Sequence, residues 1–93
     1  MSLTDEQISQ LEHTVRCGAG ADRILNDEYV AAALKALEVD TLREMDRTQY
    51  GDTEIREACY FRRDAILSLR TKLSIQRTNG QLAEQKLKDN GAT

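Results

Sequence analysis

The stretch IREACYFRRDAILSLRTKLSIQRTNGQLAEQKL, residues 55–87, decides how this chain folds. Within it Ile55, Cys59, Arg62, Ile66, Leu69, Leu73, Gln76, Gly80, Ala83 and Leu87 follow one another in alternating steps of four and three. That spacing keeps them on one face of an α-helix and marks a heptad seam, with Cys59, Ile66, Leu73, Gly80 and Leu87 at position a and the others at d. A helix over 53–88 follows. From Thr53 to Asn79 it spans about 40 Å. The register passes straight through Asn79-Gly80, so 79–80 is where a break would fall. A helix of this length cannot bury its seam alone. It needs the residues before it, a second copy of the chain, or both.

Those residues also read as helices. Thr4-Asp5-Glu6-Gln7 forms a capping box, in which the Thr4 hydroxyl accepts from the Gln7 amide and the Gln7 side chain reaches back. Ile8, Leu11 and Val15 then recur at helical spacing over a first helix of 5–25. Gly18 and Gly20 interrupt its composition. Each weakens a helix interior by about 1 kcal/mol relative to alanine, or else admits a neighbouring backbone. Asp22-Arg23-Ile24-Leu25 resumes helical character at once, which favours continuation. Asn26-Asp27 supplies the next N-cap, and a second helix over 27–49 carries Val30, Ala33, Leu34, Leu37 and Met45 on one face. Gly51 reads as its C-cap and Asp52 as the cap of the third helix. The sequence therefore predicts an all-α chain. It is a three-helix assembly dominated by a long antiparallel hairpin of helices two and three, with one domain over 1–89 and a frayed tail over 90–93.

Composition narrows the function. The 93 residues contain no proline and are 31% charged and 40% hydrophobic, as in an ordinary soluble domain. No apolar run approaches the roughly 18 residues of a membrane span, and the polar start is not a secretory signal. The expected place is the cytoplasm, or a virion. Cys17 and Cys59 lie far apart without a CxxC pair, so they read as buried or half-buried free thiols. His13 is the one histidine and stands four residues before Cys17. No orienting group or oxyanion site accompanies this pair, so it reads as a packed thiol beside a solvated imidazole. No HExxH, GxSxG or phosphate-binding glycine loop occurs, and no Glu-x-x-His spacing marks a metal bundle. The expectation is a non-enzyme without catalytic residues, metal or cofactor.

Charge is distributed unevenly. Residues 1–54 hold 5 basic and 12 acidic groups, net −7, whereas residues 55–93 hold 8 and 4, net +4. Arg56, Arg63, Arg70 and Arg77 recur every seven residues beside the seam, about 10.5 Å apart along the axis, and Arg62 and Lys72 widen the strip. Such arginines can lay their stems on a core and pair with carboxylates, here Glu38, Asp40, Glu44 and Asp46 of helix two in the same chain or in a partner subunit. They can instead bind phosphates. The acidic balance and the interruptions at Glu57 and Asp64 favour pairing over nucleic acid. Tyr60 and Phe61 flank the seam, and aromatics beside arginines are the composition that anchors protein interfaces. The candidate interface is therefore Arg56, Tyr60, Phe61, Arg63, Ile66, Leu69, Arg70, Leu73 and Arg77.

Three segments carry a resemblance: Gly20-Ala-Asp-Arg-Ile-Leu-Asn-Asp-Glu-Tyr29, Asp52-Thr-Glu-Ile-Arg-Glu57 opening a long helix, and Asn79-Gly80-Gln81-Leu82-Ala83. In this order they resemble small helical proteins encoded by tailed phages and prophages among genes for head assembly and DNA packaging. The prolines expected in that group's loops are absent here. The resemblance implies a virion or assembly component, and the seam of helix three is where it would bind itself or another protein. A DNA-binding packaging factor, similar to a small terminase subunit, is the alternative, and an inhibitor of a host protein a further one.

Overall fold

A computed structural model describes residues 2–91. Among them are three α-helices and no strand: α1 (Asp5–Asn26), α2 (Glu28–Asp46) and α3 (Thr53–Asp89). None is long and apolar enough to cross a membrane.

The caps arise from the residues that predict them. Gln7 donates its amide to Thr4 Oγ1 at 3.1 Å, and Thr4 donates its own to Gln7 Oε1 at 2.9 Å. Asp27 caps α2, its carboxylate accepting from the amides of Tyr29 and Val30 at 2.8 and 3.0 Å. α1 continues through Gly18 and Gly20, and α3 continues through Asn79-Gly80 without the break considered there. α2 stops at Asp46, three residues before the expected end. There the Thr48 hydroxyl takes the Met45 carbonyl at 2.7 Å, and Asp52 Oδ2 accepts from the Gln49 amide at 2.8 Å. Gly51, at φ +105°, makes the turn between helices rather than capping α2. Asn90 and Gly91 are held to the end of α3 by backbone bonds to Lys86, Leu87 and Lys88. The remainder of the expected frayed tail, residues 92–93, lies outside the described residues.

Contacts gather in two units, residues 1–26 with 72–93 and residues 27–71. In the first, α1 packs strongly against the last part of α3 and runs antiparallel to it, with Gly18 opposite Gly80 and Asp22 opposite Arg77. Gly18, Ala21, Leu73, Gly80, Ala83 and Leu87 are buried. In the second, α2 is antiparallel to the first part of α3, with Glu38 opposite Arg70 and Glu44 opposite Arg62. Thr41, Cys59 and Ile66 are buried there. The hairpin of α2 and α3 is thus one of two antiparallel pairings that α3 makes.

Seam position decides burial along α3. Cys59, Ile66, Leu73, Gly80 and Leu87, all at a, are buried. Of the d positions only Ala83 is buried, whereas Ile55 and Leu69 are 46% and 48% exposed. The heptad pattern therefore marks two adjoining stripes, one closed within the chain and one largely outside it. On α2 the covered residues are Val30, Leu34, Glu38, Val39, Thr41 and Met45, so Ala33 and Leu37 lie off the face assigned to them from their apolar character.

Candidate protein interaction surface

The arginine ladder is largely committed within the chain. Arg70 pairs with Glu38 in a half-buried contact. Arg77 reaches Asp22 at 3.9 Å. Arg62, rather than a member of the seven-residue series, pairs with Glu44 at 2.7 Å. The hydrogen bond that Arg62 donates to Glu44, with the carboxylate charge adding to the effect, holds the Arg62 guanidinium above its ordinary pKa. Arg56 donates from Nη2 to the Gln49 carbonyl at 3.1 Å, while its Nε is buried without a partner. Arg63 makes no ion pair among the described residues, and lines an open groove with Glu38, Thr41, Leu42 and Leu67. Adjacent residues stand about 100° apart around a helix, and it is Arg62, not Arg63, that lies toward Glu44 of α2.

Apolar candidates separate in the same way. Ile66 and Leu73 are interior. Tyr60, Phe61 and Leu69 are outside, at 52%, 73% and 48% exposure. Within the second unit, Ala58, Phe61, Ala65 and Leu69 are all exposed and follow at steps of three, four and four, which aligns them on one flank of α3. Small and large side chains alternate along this line, with Ala65 midway between Phe61 and Leu69. Sequence reading singled out Phe61 and Leu69 but not the two alanines. They lie off the a and d positions, and their signal is a second 3–4 spacing beside the first.

The thiols also divide. Cys59 is buried, but Cys17 is exposed, contrary to the packed position expected for it. Its neighbour Gly18 takes the inward place because only a residue without a side chain fits against α3. Cys17 Sγ lies 3.5 Å from His13 Nε2, and both residues are exposed. Among the described residues no group of three or more histidine, cysteine, aspartate or glutamate side chains is gathered to hold a metal ion.

Comparison with family models, with curated proteins and with solved structures found no match to this chain.

Proposed function

We propose that this chain is a non-enzymatic assembly protein that associates with a second copy of itself through the exposed flank of α3, in the manner of a phage virion or head-assembly component. The line Ala58, Phe61, Ala65 and Leu69 carries the reading. Its large residues sit four positions either side of Ala65. Two copies of α3 crossing antiparallel at Ala65 would set Phe61 of each against Leu69 of the other, a self-complementary arrangement of the kind a two-fold interface requires. The motive is energetic. Among the described residues the largest wholly buried side chains are Thr41 and Cys59, while Phe61 and Leu69 are 73% and 48% exposed. Covering the part of each that is still exposed contributes on the order of 1–2 kcal/mol.

A nucleic-acid role draws less support. Arg62, Arg70 and Arg77 are paired with carboxylates, which must be released before phosphates could be bound. A host-inhibitor role has no feature that selects a target.

The deciding experiment is the solution mass by light scattering at low and high salt, for the wild type and for Leu69→Glu. A defined oligomer that dissociates on that substitution supports the proposal. A monomeric wild type, or an oligomer unchanged by Leu69→Glu, overturns it. Steeply salt-dependent binding to duplex DNA would move the reading to a packaging factor.

A further inference from the structure

His13 and Cys17 are left unused by the reading above, which concerns α3. They stand one turn apart on α1, with Cys17 Sγ 3.5 Å from His13 Nε2 and both side chains open to solvent. A tetrahedral zinc ion bonds thiolate sulfur at about 2.3 Å and imidazole nitrogen at about 2.0–2.1 Å, which places the two donor atoms about 3.5 Å apart. The pair is therefore spaced to share one ion without rearrangement of the helix. Thiolate and imidazole are also the donors that suit zinc-class metals rather than magnesium or calcium.

Two donors do not complete a tetrahedral site, and among the described residues of one chain no third candidate gathers near them. What surrounds them favours completion by a second copy. His13, Cys17, Gly20 and Ile24 follow at steps of four, three and four, on one side of α1. A Cβ added at Gly20 would meet nothing within 4 Å, and Ile24 is 42% exposed. Beside the donor pair, then, lie an open glycine that permits close approach of another helix and an apolar residue for it to cover. Charge points the same way. One thiolate leaves a bound divalent ion with a net positive charge, whereas two thiolates neutralise it.

We propose that His13 and Cys17 form a half-site for a zinc-class ion, completed by the same two residues of a second copy to give a two-cysteine, two-histidine centre. On binding, each Cys17 thiol releases its proton to solvent as the sulfur–metal bond forms, and each His13 ligates through Nε2 with its remaining proton on Nδ1. This contact between copies is separate from the α3 flank and does not depend on it.

The test uses the full chain, first freed of metal with EDTA, then titrated with Co²⁺ as a spectroscopic probe and with Zn²⁺. The expected result is a thiolate-to-cobalt charge-transfer band that saturates at one metal per two chains. Zn²⁺ should at least double the mass by light scattering, and EDTA should reverse it. His13→Ala and Cys17→Ser should each remove both responses, with helical circular dichroism unchanged because the two side chains are exposed. Absence of the band in the wild type overturns the proposal. So does a band that survives Cys17→Ser, or saturation at one metal per chain with no change in mass. The mass in EDTA reports on the α3 flank alone, so failure of one interface is read separately from failure of the other. Leu69→Glu offers the sharpest form: a chain disabled at α3 should still double with zinc.

Discussion

Gly18 of α1 and Gly80 of α3 bring two helix backbones into direct contact. A Cβ added at Gly18 would lie 2.6 Å from Gly80 Cα and 2.9 Å from the Gln76 carbonyl oxygen, and one added at Gly80 would lie 2.7 Å from Gly18 Cα. These neighbours are backbone, so neither can yield by turning a side chain. Gly18→Ala and Gly80→Ala should each destabilise the protein by about 1–3 kcal/mol through overpacking, despite the roughly 1 kcal/mol that alanine gains in helix propensity. Gly20→Ala, two residues away with open space at its Cβ, should instead stabilise by up to about 1 kcal/mol. Urea denaturation of the three variants checks this. Equal effects at Gly18 and Gly20 would refute the close contact.

The two ion pairs of the second unit differ in exposure, and their contributions should differ with it. Arg62 and Glu44 are both nearly half exposed, whereas Glu38 beside Arg70 is 22% exposed. Glu38→Gln should cost about 1 kcal/mol, and Glu44→Gln should cost less. Raising salt to about 1 M should erase the smaller effect first, since ions screen exposed charges most. Double-mutant cycles with Arg70→Ala and Arg62→Ala measure each coupling.

Thr41 is the buried polar side chain of α2, with 1% exposure, and its hydroxyl donates to the Leu37 carbonyl at 2.7 Å. That carbonyl also accepts the ordinary helical amide bond, so it does not depend on the hydroxyl. Thr41→Val keeps the shape and removes a desolvated donor. The change should lie within about 0.5 kcal/mol of neutral, because an apolar replacement leaves no polar group stranded. Thr41→Ala opens a void and should cost about 1 kcal/mol or more. Thermal unfolding of the two variants separates packing from hydrogen bonding at this site.

Ile66 and Leu69 stand one turn apart on α3 and should respond to substitution in opposite ways. Ile66 is 6% exposed and Leu69 is 48% exposed. Ile66→Ala should cost about 2–5 kcal/mol of folding stability. Leu69→Glu should leave the isolated chain folded, by circular dichroism, while reducing its solution mass. A Leu69→Glu chain that unfolds would place Leu69 in the core and count against the exposed flank.

Helix number, the capping box at Thr4 and Gln7, the Asp27 cap and the length of α3 were legible in the residues themselves. Each depends on bonds or periodicities within a few positions of the chain. Partnerships were less legible. Carboxylates for the arginines were anticipated on α2, and Glu38 and Glu44 are among them, but Arg77 turns to Asp22 on α1. The ten-residue seam gave no sign that its a positions would close inside the chain while Ile55 and Leu69 stayed out. An apolar residue at heptad spacing carries the same signal whether its partner helix belongs to the same chain or to another.

By itself, then, the sequence determined the secondary structure of this protein, because helix propensity, caps and hydrophobic period act locally. Only the tertiary structure decided which stripe of α3 is covered, which arginines find carboxylates, and that Gly18 rather than Cys17 meets α3. Those outcomes turn on side-chain volume and helix rotation at points of contact, and two glycines more than sixty residues apart in sequence show it most directly.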